Sequence, residues 1–222
     1  MKLGLALIFS VLLAQAAGGS VHVHDQFPAK IHADQRYVIF LHGLIAEGTD
    51  PRPVHPENGV YDFAAIKQAI FQNGGFNLIA QQRPKNADIG TYTAMLEHWV
   101  RQLVAAGVPA SRITIVGFSR GSYITAHAAD RLRETGIHTA LLGSCSNGDL
   151  PTSGAPLVLG GDLLNIYETT DAVRECGVLA KRSHLTSFKE VAITTGKKHG
   201  AFFQPRAEWI DPLKAWIRQT NR

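Results

Sequence analysis

The sequence predicts an α/β protein: one domain on a mostly parallel sheet of about six or more strands, flanked by helices. Two observations carry this. Apolar runs of strand length alternate along the chain with segments of helical period, the pattern of a parallel sheet with crossover helices. Those runs are rich in Val, Ile and Leu with little polar alternation, as strands covered on both faces must be. The 222 residues, 45% hydrophobic and 18% charged, suffice for one domain with a sizeable core and are short for two.

The first segment stands apart from that domain. Lys2 precedes an almost wholly apolar stretch at 3–13, and Ala14-Gln15-Ala16 supplies the small-x-small pattern of a signal-peptidase site. About 11 apolar residues cover roughly half of a ~30 Å hydrocarbon core, so residues 1–16 read as a cleaved signal, not an anchor. The domain, 17–222, is then expected to begin near Ala17 and to work as a secreted or periplasmic protein. No later segment is apolar enough to span a membrane, so none is expected in the mature chain. The polar, His-rich stretch 17–36 allows an edge strand.

Strands are predicted at 37–41, 76–81, 112–116, 138–142, 163–167 and 188–194. Helices are predicted at 61–72, 91–106, 120–133 and 206–219. Gly107-Val108-Pro109 stops the second helix, while Asp211-Pro212 marks a kink or a late start in the last. Sites in open parallel sheets lie at the carboxyl ends of the strands, so functional residues are expected just past a strand.

The 22 basic and 18 acidic residues are interspersed, and no run of like charge forms a patch, so no nucleic-acid partner is expected. In an oxidising compartment Cys145 and Cys176 are expected as a disulfide, and their spacing does not suit a zinc site.

Gly117-Phe118-Ser119-Arg120-Gly121 follows the apolar run Ile113-Thr114-Ile115-Val116 and opens a helical segment. A G-x-S-x-G between strand and helix is a nucleophile elbow: the serine takes a strained turn so that its hydroxyl projects, and the glycines let the two backbones approach. The helix then directs its positive end at developing negative charge. Upstream, the strand Val38-Ile39-Phe40-Leu41 ends in His42-Gly43. Acyl transfer needs two backbone N–H groups aimed at the oxyanion. One is expected from Arg120, the other from Leu44 or its neighbour Ile45.

Together, His42-Gly43 after the first strong strand and the Ser119 pentapeptide resemble the α/β-hydrolase superfamily, over 37–217. The resemblance implies a triad in the order serine, acid, histidine. Asp171 lies just beyond the predicted strand 163–167, and His199 sits in a Gly-flanked loop after the last strand. They are the candidate acid and base, with Glu168, Asp162 and Asp149 as competing carboxylates. Among the other histidines, His98 and His127 fall in helices, His184 precedes the last strand, and His22 and His24 lie near the start. The superfamily also makes 138–142 and 163–167 neighbouring strands, which brings both cysteines out at one end of the sheet.

The connection 143–162 is short and rich in Ser, Gly and Pro, so no large cap is expected over the site. The loop 45–59 starts beside the expected oxyanion hole and carries Glu47, Asp50, Arg52 and His55. With His42, these form a candidate polar wall for substrate. The expected function is a serine hydrolase acting on a small-molecule ester or acyl substrate, needing no cofactor or metal. Peptidase, amidase and thioesterase chemistry stay open, as does a non-catalytic binding protein on the same fold.

Overall fold

The computed structural model describes residues 20–152 and 154–220, so the expected signal segment lies outside the described residues. Seven strands form one sheet: β1 (Val23–His24), β2 (Tyr37–Leu41), β5 (Asn77–Ile79), β6 (Ile113–Phe118), β7 (His138–Leu142), β8 (Gly160–Glu168) and β9 (His184–Ile193). A separate antiparallel hairpin pairs β3 (Val54–His55) with β4 (Gly59–Val60) inside the loop 45–59. The helices are α1 (Phe63–Phe71), α2 (Ile89–Ala105), α3 (Arg120–Arg131), α4 (Gly177–Arg182) and α5 (Ala207–Thr220). The main sheet runs β1-β5-β2-β6-β7-β8-β9, with every neighbouring pair parallel.

Side-chain alternation sorts the strands' residues onto two cores. Val38 and Phe40 of β2 join Val116, Ala140, Leu142, Leu164 and Ile166 on one face, covered by α1 and α5. Tyr37, Ile39 and Leu41 join Ile113, Ile115, Leu141 and Leu163 on the other, covered by α2 and α3. Helical spacing does the covering. Leu96, Val100 and Leu103 of α2 are buried at i, i+4 and i+7, and Leu213, Trp216 and Ile217 of α5 at i, i+3 and i+4. Asp62 and Asp88 cap α1 and α2, accepting from Ala65 N at 3.0 Å and Thr91 N at 2.7 Å.

The central strands fall where the apolar runs put them. Departures occur at the edges. The edge strand allowed within 17–36 is only Val23–His24, paired with β5. At the other edge β9 begins at His184, ahead of the expected 188, through largely exposed residues that no apolar run announces. The last helix neither starts late nor stops at Pro212, but runs from Ala207 through it. In the connection 143–159 the described residues contain no helix, and among the described residues no helix is long and apolar enough to cross a membrane.

Cys145 and Cys176 are joined, just past the neighbouring strands β7 and β8, and Arg174 N donates to Cys145 O at 2.7 Å beside them. The bridge closes a loop of sequence separation 31, for which the chain-entropy account gives about 3–4 kcal/mol. Reduction should therefore lower the melting temperature by roughly 5–15 °C, measured by calorimetry with and without reductant. An unchanged melting temperature in a chain whose two thiols alkylate would remove that contribution.

Candidate active site

The site is assembled from loops at the carboxyl ends of β2, β6, β8 and β9. Ser119 leaves β6 at φ 52° and ψ −119°, a left-handed turn that L residues rarely adopt, and α3 begins at the next residue. The flanking glycines make that turn possible. A Cβ at Gly121 would stand 2.1 Å from Leu41 O, and one at Gly117 would stand 2.4 Å from Gly121 O. No larger residue fits either place. The turn is pinned from the neighbouring strand: Ser119 N donates to Leu142 O at 3.0 Å, and Ser122 Oγ donates to Gly117 O at 2.6 Å.

His199 lies in a short 3₁₀ turn, Lys198–Phe202, beyond β9. Its Nδ1 donates to Asp171 Oδ2 at 2.7 Å, which leaves Nε2 as the acceptor. Asp171 is 9% exposed and also accepts from Ala172 N at 2.7 Å. The imidazole packs on the Phe118 ring, centroids 5.0 Å apart, and against Gly143, where an added Cβ would lie 3.4 Å from its Cε1. Ser119 and His199 open into one cavity of about 240 Å³, lined also by Gly43, Leu44, Ile45, His55, Asn58, Phe118 and Phe203.

The competing carboxylates are committed elsewhere. Asp162 sits at the far end of β8, 3.0 Å from His138 Nδ1, and accepts from Ser187 Oγ. Asp149 makes a two-pronged pair with Arg182, both contacts 2.8 Å. Glu168 is buried and serves as a strut. It accepts from Thr170 N at 2.7 Å on the Asp171 turn, and from Thr195 N at 2.9 Å and Gly196 N at 3.0 Å on the His199 loop. Burial raises its carboxyl, but the hydrogen bonds from Thr170, Thr195 and Gly196 outweigh this and hold it below the usual range.

Of the candidate polar wall, His42, Glu47, Asp50 and Arg52 do not line the cavity. His42 is fully buried, its Nδ1 donating to Gly43 O at 2.7 Å and its Nε2 accepting from Arg83 N at 2.8 Å. Burial, helped by the Arg83 charge, lowers its pKa to about 3, so the ring is a neutral brace for the loop that follows β2. Glu47 also turns inward: with its side chain 2% exposed, it pairs with Arg120 Nε at 3.1 Å and Arg83 Nε at 3.5 Å. An isolated buried carboxylate is unstable, and these guanidinium groups are its compensation. Asp50 accepts from Arg52 N, and Arg52 pairs with Asp62 at 3.2 Å, both away from the cavity. Of that loop's polar residues His55 does line the cavity, together with Asn58, which sequence reasoning missed. The only advance signal for Asn58 was its place between Pro56 and Gly59.

Leu44 lines the cavity at the start of a 3₁₀ turn, and Arg120 is the first residue of α3, with its guanidinium drawn back to Glu47 and to Ala87 O at 2.8 Å. The opening N–H groups of a helix lack intrahelical acceptors, so both positions carry donors of the kind an oxyanion requires.

A model of the phospholipase/carboxylesterase family matches residues 24–146. Among curated proteins, none matches the chain. Solved structures share the fold. Francisella virulence factor BioJ is 10% identical over 85% of this chain and 78% of its own, with a TM-score of 0.56. An esterase from the fungus Rhizomucor miehei is 14% identical over 89% and 76%, at 0.55. Arabidopsis thaliana SOBER1 is 13% identical over 84% and 99%, at 0.53.

The buried His42 generates a pH prediction. Between the unfolded value of 6.5 and the folded value of about 3, the unfolded chain binds a proton at this ring and the native chain does not. Stability therefore rises with pH across that window and is lost as pH falls, by on the order of a few kcal/mol. Denaturant unfolding from pH 3 to 7 should show this rise in the native chain and a flatter profile in His42→Gln. Equal slopes for both would contradict it.

Proposed function

The chain belongs to the phospholipase/carboxylesterase family of α/β-hydrolases, and from that premise we propose that it cleaves carboxylic esters through an acyl-enzyme on Ser119. The observation that carries this reading is the 2.7 Å Asp171–His199 pair beside Ser119, opening into the cavity that Ser119 lines. Ser119 Oγ attacks the ester carbonyl carbon while His199 Nε2 takes its proton, and Asp171 holds the imidazole and stabilises its cation. The carbonyl oxygen becomes an oxyanion, received by the N–H groups of Leu44 and Arg120. Collapse expels the alkoxide, which takes the proton back from His199. Water, deprotonated by the same ring, then attacks the acyl carbon, and the acid leaves as Ser119 regains its proton.

The cavity supports a limit on the acyl group. At about 240 Å³ it lies below the ~300–1,000 Å³ that drug-sized ligands occupy, and Leu44, Ile45, Phe118 and Phe203 make its walls apolar. A short acyl chain suits it, and the absence of a helix over 143–159 leaves the entrance uncapped among the described residues. The disulfide supports a secreted or periplasmic setting.

Ser119→Ala should lower kcat on para-nitrophenyl acetate by on the order of 10⁴-fold or more, as should His199→Ala, with Asp171→Asn losing somewhat less. Steady-state kinetics on variants with native melting temperatures make the check. Unchanged turnover in Ser119→Ala sinks the proposal, and inactivation by His184→Ala but not by His199→Ala would move the base. Thioester and anilide analogues in the same assay decide among leaving groups.

A further inference from the structure

A second cavity, of about 520 Å³, adjoins the first and shares Asn58 with it. Its walls include Lys197, Lys198 and Arg206, opposed by the single carboxylate Glu57. Among the described residues none of these three cations has an ion-pair partner, although other surface arginines on the chain, such as Arg101 and Arg182, do. Arg206 Nε lies below the surface with no acceptor among the described residues, so no protein group there holds this guanidinium in place. Lys198 holds a left-handed φ of 50°, where glycine or asparagine would sit with less strain, directly before His199. A cavity of this size falls within the range of small-molecule sites, and its chemistry is opposite to that of its neighbour.

Position gives the cavity a place in the reaction. Its wall is the loop that carries His199, from Gly196 to Gly200. On the proposed mechanism His199 returns a proton to the leaving oxygen, so the alcohol half of the ester must lie on the histidine's side of Ser119. The apolar cavity, which Ser119 and His199 both line, holds the ester carbon and the acyl half, and the alcohol half runs past Asn58 along the histidine loop into the cationic cavity.

We infer that the cavity walled by Lys197, Lys198 and Arg206 is a leaving-group subsite, and that the protein's substrate is a short-chain ester whose alcohol carries an anion, a carboxylate or a phosphate. This rests on the esterase reading above. Guanidinium and ammonium groups in a recess recognise either anion by charge-assisted hydrogen bonds, with the forked Arg206 the more directional. Asn58, on the rim of both cavities, is the one side chain that touches the two halves of such a substrate.

The test compares three acetyl esters on the full chain: para-acetoxybenzoate, para-acetoxyphenyl phosphate and the neutral para-acetoxybenzamide. Because each ester is compared with itself across variants, intrinsic leaving-group reactivity cancels. In Lys197→Glu and in Arg206→Gln, the ratio of kcat/KM for an anionic ester to that for the amide should fall at least about tenfold, chiefly through KM. The anion whose ratio falls further is the one the subsite was built for. With the native chain alone, raising salt from about 0.05 to about 0.5 M should lower kcat/KM for the anionic esters several-fold and spare the amide. Ratios unchanged in both variants, together with no salt effect, overturn the subsite while the amide is still hydrolysed. If none of the three esters is cleaved and a fluorophosphonate leaves Ser119 unlabelled, the esterase reading fails and the subsite fails with it.

Discussion

The fold's functional end depends on one steric constraint, the approach of the α3 backbone to β2 at Gly121. With no side chain there, the helix can start against Leu41 O and His42 O, each within 2.7 Å of where a Cβ would stand. That contact brings the segment after β2 beside the segment after β6. Ser119 must then turn through a left-handed conformation to connect strand and helix, just past the carboxyl end of central strand β6. The parallel pairing of Leu41 with Gly117 fixes the same register from below. Strain at Ser119, on the order of 1–3 kcal/mol, persists because the surrounding strands and Ser122 over-determine the turn.

Two buried carboxylates extend this constraint to the rest of the site. Glu47 links the loop after β2 to Arg83, past β5, and to Arg120 at the start of α3. Arg83 closes the circuit by donating to His42 O at 2.5 Å, and burial pulls its guanidinium below the usual value against the pull of Glu47. Glu168 does the same across the other half, joining the Asp171 turn to the loop of His199. Neither carboxylate faces the cavity. Each holds two loops in a fixed relation, which the 2.7 Å Asp171–His199 contact requires. Removing one partner from such a network would leave an uncompensated buried charge, so both halves are stiff for the same electrostatic reason.

What was legible in the sequence follows from these forces. Strands such as Tyr37–Leu41 and His138–Leu142, buried on both faces, announce themselves as apolar runs and fall where they were predicted. Gly117 and Gly121 were legible because close backbone approach admits only glycine. Asp171 and His199 could be selected because the topology puts candidate residues just past strand ends. The exposed edge strand β9 and the six-residue α4 are too polar or too short to carry a period. The inward turn of Glu47 was illegible because it depends on Arg83 and Arg120, distant in sequence, and Arg83 itself carries no mark of burial. His55 stood in the loop read as a wall of the site, but Asn58 reaches the cavity through the β3–β4 hairpin, whose two-residue strands leave no pattern.

The central claim is that Ser119 is an activated nucleophile, and covalent labelling measures this directly. The native chain would be treated with a fluorophosphonate, digested, and the modified peptide sequenced by mass spectrometry. The account predicts a single adduct on Ser119, formed rapidly in the native chain and lost when the protein is denatured first. An unlabelled chain, or an adduct on another serine, would contradict it.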